Sequence, residues 1–234
     1  MRKFKTALVV LWLALAPLAY AQDGSAVSTV RAASAAVLSE EADGLDIDWT
    51  GKGTVAGEML DATFTNNGKG ALTVDIVPGI VLTDKEQKAQ PIMLEDTLKF
   101  TLQPGESTSM PLRGYCLDFE LDPPAMGAGV DYEVAQDVSR YETAIRNLWA
   151  GLRLDRDGGF KPVLKPLMHR TIVIQRSIWA SLGGNNPTTV EKLDEDLRDD
   201  TAQAGLEYSN QKVRFLTNRI WDDVEKTQAA APKE

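Results

Sequence analysis

Two residues of this 234-residue chain are of types that could react with one another. Cys116, within "GYCLDFE" at 114–120, is the only cysteine, and Gln175, within "IQRSIW" at 174–179, carries a side-chain carboxamide. A thiolate held against a carboxamide can attack its carbon and expel ammonia, leaving an internal thioester. Such a bond needs near-attack geometry and exclusion of water, because proximity supplies most of the driving advantage. The product is an electrophile able to acylate an amine or hydroxyl on a partner surface, with no cofactor. Two plainer readings of Cys116 stand beside this one. A lone cysteine can pack in a strand as a small hydrophobe, or it can form a disulfide with another chain.

Other chemistry is sparse. The single histidine, His169, excludes a His-rich metal centre and any multi-histidine mechanism. It is read as a satisfied surface or boundary residue beside Met168. Nucleophile-elbow, P-loop, zincin and dinucleotide fingerprints are all missing, so neither a catalytic residue nor a metal ligand is assigned. Asp155 and Asp157 in "DRDGGF" open like a calcium loop, but the later ligand positions are missing, which leaves an acidic turn. The carboxylates of "EKLDEDLRDD" at 191–200 read as the solvated face of a helix.

Composition and the first residues speak to the compartment. Apolar residues make up 43% and charged residues 25%, as in a soluble globular protein. The formal charge is −9 and no basic stripe interleaves with aromatics, so nucleic acid and anionic membrane surfaces are not expected partners. "MRKFK" followed by an apolar run and Ala19-x-Ala21 reads as a signal peptide over 1–21, cleaved after Ala21. Removing Arg2, Lys3 and Lys5 takes the charge from −9 to −12. The protein is therefore expected to be secreted or periplasmic, with no integral membrane span.

The elements that must position Cys116 and Gln175 differ in kind. Residues 22–43 are an Ala/Ser-rich leader, either mobile or a short helix. From 44 to 132, "LDIDW", "MLDATFTN", "ALTVDIVPG", "TLKFTLQPG" and "STSMPLRGYCLDFEL" alternate apolar and polar residues between Gly-, Pro- and Asn-bearing turns. This spacing, without intervening helices, predicts an immunoglobulin-like antiparallel β-sandwich. From 133 to 228 the period changes to that of helices. Val134, Val138, Tyr141, Ile145, Leu148 and Leu152 mark the first of them, and "KPLMHRTIVIQRSIWASLGG" the second. Thr188 with Glu191 forms a capping box for the third. Leu206, Val213, Leu216, Ile220 and Val224 mark the last, before a polar tail at 229–234. The whole is an α+β chain, a sandwich followed by a helical bundle, with Trp149, Trp179 and Trp221 in the bundle core or its seam with the sandwich. "LDPPAMGAGVDY" reads as the crossover from sandwich to helices.

"YCLD", Tyr115 to Asp118, resembles the cysteine motif of the thioester domains of Gram-positive surface adhesins. "IQRSIW" is similar to the glutamine motif of that family, in which Gln stands three residues before an aliphatic-Trp pair. The resemblance implies Cys116 and Gln175 as thioester partners, Tyr115, Asp118 and Trp179 as their support, and covalent adhesion to a surface. Apart from it, the sequence points to a non-enzymatic envelope or extracellular binding or structural module. The expected partner is an envelope or extracellular protein or surface ligand.

Overall fold

The computed structural model describes residues 44–183, 189–203 and 205–232. The expected signal peptide and leader, and Thr188, lie outside these residues. Among those described, nine strands come first: β1 (Leu45–Gly51), β2 (Ala56–Asn66), β3 (Leu72–Ile76), β4 (Val81–Asp84), β5 (Ile92–Leu94), β6 (Leu98–Leu102), β7 (Ser107–Cys116), β8 (Gly129–Val130) and β9 (Tyr132–Val134). Four α-helices follow: α1 (Glu142–Arg156), α2 (Pro166–Leu182), α3 (Val190–Gln203) and α4 (Asn210–Ala230). The chain is thus an antiparallel β region followed by helices.

Seven strands form one antiparallel sheet in the order β8-β1-β2-β7-β5-β4-β9, and β3 and β6 form a separate two-stranded ribbon. One apolar core lies between ribbon and sheet, where Val74, Ile76 and Leu102 meet Met59, Phe64, Leu112 and Cys116. A second core joins the other face of the sheet to the helices, through Val81, Met93 and Tyr115 against Ile145, Leu148, Ile174 and Ile178. Val173, Leu193, Leu197, Leu216 and Ile220 make a third core among the helices. Central strands β4 and β5 are covered on both faces, which is why "IML" is buried throughout and shows no alternation.

Several boundaries depart from the periodicity. Met59 and Leu60 are both fully buried, because a register shift between Glu58 and Leu60 adds a residue to β2 and resets its alternation. Strand β7 stops at Cys116, so "LDFEL" is not strand. Val134 ends β9, and Ser139–Tyr141 is a single 3-10 turn before α1 opens at Glu142. Val134 and Val138 therefore precede the first helix. "LDPPAMGAGVDY" does not deliver the chain to the helices; it returns to the sheet as β8 and β9. On the way it folds over the end of β1, where Gly51 N–H donates to the Ala128 carbonyl and Gly53 N–H to the Pro124 carbonyl. Helix α3 has Thr189 at its start, whose hydroxyl accepts from the Lys192 N–H. Leu206 is exposed and precedes α4, whose N-cap is Ser209 accepting from Lys212 N–H. That helix runs to Ala230, past the expected start of the tail.

No helix among the described residues is long and apolar enough to cross a membrane.

Candidate functional site

Cys116 is the last residue of β7, and the strand beside it sets up its surroundings. Strand β2 begins at Ala56, opposite Tyr115, so the ladder has no further β2 residue to offer Cys116. The Cys116 N–H still reaches the Val55 carbonyl at 3.0 Å. The rest of the vacant ladder position is taken by a side chain from α2. Gln175 Oε1 accepts from the Cys116 N–H at 3.1 Å, and Gln175 Nε2 donates to the Cys116 carbonyl at 2.8 Å. The carboxamide thus acts as one more peptide unit at the end of the sheet. Donor and acceptor match on both sides, which fixes which way round the amide sits.

Helix α2 delivers Gln175 because its neighbours are anchored in the cores. Ile174 and Ile178, four residues apart on one face, pack in the second core, while Val173 belongs to the helical core. Gln175 sits between these contacts, and Trp179 follows one turn later. The indole packs in the same core group as Cys116 and meets the edge of the Phe119 ring at 5.4 Å between centroids. The strand cysteine and the helical glutamine are 59 positions apart and are in contact through the Cys116 main chain.

Cys116 is free and fully buried. Burial first, and then the nearby Asp118 carboxylate, push its thiol well above the usual cysteine range. A thiol in this setting is protonated at neutral pH and closed to bulk reagents.

Of the supporting residues expected from sequence, Trp179 and Asp118 lie at the site and Tyr115 does not share its face. Side chains alternate along a strand, so Tyr115 points from β7 into the sheet–helix core. Its hydroxyl donates to Glu95. Burial, followed by the Glu95 charge, pushes the phenol well above its ordinary value. Asp118 is partly buried and accepts from the Glu120 N–H at 2.9 Å in a tight turn. Two groups of residues at this junction are missed by sequence reasoning. The first is a polar hub: Glu95 binds Arg113 Nε and Tyr115, and takes Arg170 from α2 at 2.7 Å. It ties the helix carrying Gln175 to the strand carrying Cys116. Since it draws on residues 20 and 75 positions apart, no local pattern reveals it.

The second group lines a cleft of about 400 Å³ between the sheet end and helices α2 and α3. Val55, Phe119 and Trp179 supply apolar walls, Gln175 lies on its lining, and Asp196, Asp199 and Asp200 of α3 stand along one side. Arg176, on the Gln175 turn, pairs with Asp196 and lies 5.4 Å from the Trp179 ring centroid. Asp200 has its carboxyl raised, by burial first and then by Asp196 and Asp199. The expected solvated face of α3 is thus partly a cleft wall.

His169 is fully buried, which corrects its reading as a surface or boundary residue. Its Nε2 lies 3.0 Å from Asp223 Oδ2, and Asp223 also accepts from the Lys161 N–H at 2.9 Å. It fastens α2 to α4, away from the cleft. Asp155 and Asp157 are engaged by Arg170 and Arg156, and no group of three or more metal-ligating side chains occurs among the described residues.

Comparison of the chain with family models, with curated proteins and with solved structures gave no match.

Proposed function

We propose that this protein is an exported, non-enzymatic capture module. Its immunoglobulin-like sandwich and helical bundle meet at the cleft, and Cys116 and Gln175 condense there into an internal thioester. The observation that carries this reading is that the carboxamide of Gln175, a residue on the cleft lining, is seated on the main chain of Cys116, the only cysteine of the chain.

The main chain of Cys116 meets the carboxamide at both ends. Its N–H, already on Oε1, polarises the carbonyl and is placed for the oxyanion of a tetrahedral intermediate. Its carbonyl holds Nε2, the leaving nitrogen. The Cys116 sulfur adds to Gln175 Cδ, and Nε2 departs as ammonia, taking the thiol proton. An amine of a partner then adds to the same carbon, forming an amide and returning the proton to the sulfur. The burial that raises the thiol also shields a thioester from hydrolysis.

A second reading is favoured by one observation, that both ends of the carboxamide are already satisfied by the Cys116 main chain. Gln175 is then a tie between helix and sheet, Cys116 a packed core residue, and binding in the cleft is reversible. The intact mass of the mature chain separates the two. A mass short by one ammonia, with no thiol labelling after denaturation, is the expected result. A full mass with one label leaves the reversible module.

A further inference from the structure

The cleft carries a charge pattern that its tie to Cys116 does not require. Asp196 is matched by Arg176 and by Lys192 at 3.2 Å. Asp199 and Asp200, both exposed, form no ion pair among the described residues. Against the Arg176 guanidinium, which also attracts Asp200, the three carboxylates Asp196, Asp199 and Asp200 leave this side of the cleft net negative. On the same cleft, Val55 and Phe119 leave 44% and 45% of their surfaces in solvent. Trp179, only 4% exposed, adds apolar surface to the lining of the same cleft.

We propose that the cleft docks a basic peptide segment, in which two adjacent Lys or Arg side chains meet Asp199 and Asp200 and an apolar neighbour lies on Val55 and Phe119. The inference rests on the reading that this cleft is the binding face, and it holds whether or not the thioester forms. The cations balance charges that otherwise repel each other and Asp196. The apolar neighbour covers surface that is costly to leave wet. An acidic partner would add to the unbalanced charge along α3 and is excluded.

The test uses the full chain carrying Cys116→Ala, which cannot make a thioester, so that only reversible docking is read. The probes are fluorescein-labelled, acetylated peptides with a Leu-Lys-Lys-Leu core and a Leu-Glu-Glu-Leu core, followed by fluorescence polarisation. The basic peptide is expected to bind and the acidic one not to. Asp199→Asn with Asp200→Asn is expected to weaken the basic peptide by about fivefold or more at low salt, and added salt to have the same effect. Both variants are checked by circular dichroism against the parent chain. Equal binding of the two peptides, no binding of the basic one, or indifference to the paired Asn substitutions overturns the proposal. Failure of the thioester is read separately, as a full mass of the unsubstituted chain.

Discussion

Replacing Gln175 by a glutamate changes one atom of the carboxamide and removes one hydrogen-bond donor. Before any condensation, Oε1 accepts from the Cys116 N–H, while Nε2 donates to the Cys116 carbonyl at 2.8 Å. A carboxylate keeps the first contact and loses the second, placing a charged oxygen against a carbonyl oxygen at a position that is 4% exposed. An unsatisfied buried carbonyl costs about 1–3 kcal/mol, and the partly desolvated charge adds to it, so Gln175→Glu should lose about 3–4 kcal/mol at pH 7. Protonation restores the donor. The folded-state pKa of the introduced carboxyl therefore rises above the unfolded value of about 4.3, by roughly two units for a penalty of about 3 kcal/mol. The folded state then binds more protons than the unfolded one, and stability falls as pH rises through this window. The variant should gain stability as pH is lowered from about 7 to about 4.5. Gln175→Ala is the proper reference, because neither variant can form a thioester by loss of ammonia. Urea unfolding of both, at several pH values, gives the difference. A Gln175→Glu chain whose stability runs parallel to that of Gln175→Ala across this range would refute the assigned contact between Nε2 and the Cys116 carbonyl.

Two further positions probe the frame around the site. Asp223→Ala removes the acceptor shared by His169 and the Lys161 N–H, and should cost about 3 kcal/mol in urea unfolding. Although burial opposes its charge, hydrogen bonds from Lys226, the Lys161 N–H and His169 hold the Asp223 carboxyl below its ordinary value of 3.8. Its contribution is therefore present above that pH and lost as pH falls through the lower folded value, so acid unfolding of Asp223→Asn should lack this component. Gly114→Ala would bring a methyl group to 2.8 Å from the Met93 carbonyl and 2.9 Å from the Ile92 side chain, where β5 and β7 lie side by side. A loss of about 1–3 kcal/mol is expected, and an unchanged denaturation midpoint would show that the strands can part at no cost.

What can be read from sequence follows the reach of each signal. Period-two alternation locates β1, β2, β3, β6 and β7, because each has one face on a core and one toward solvent over much of its length. It does not mark the two-residue β8 or the three-residue β9, which are too short to show a period. Val134 and Val138 fall at helical spacing from Tyr141 for reasons unrelated to a helix. Val134 ends an edge strand facing the first core, and Val138 precedes a 3-10 turn and packs in the second. Two short motifs direct attention to Cys116 and Gln175, but the contact between them runs through the Cys116 main chain, which no side-chain pattern announces. The hub at Glu95 and the cleft along Asp196, Asp199 and Asp200 are not legible either. Charged residues on an amphipathic helix look alike whether they face solvent or a neighbouring sheet end, and only the packing of α2 against the β region distinguishes them. The burial of His169 escapes notice for a related reason, since its partner Asp223 lies 54 residues away.

The central claim is that the side chains of Cys116 and Gln175 become one covalent link. It is tested most directly by the intact mass of the mature chain under denaturing conditions, with and without a thiol reagent. The expected result is a mass short by one ammonia and no label in either preparation. Once a small primary amine has reacted, the mass should rise by the whole amine and Cys116 should take one label. A full mass at the outset, with one label on the unfolded chain, would contradict the claim.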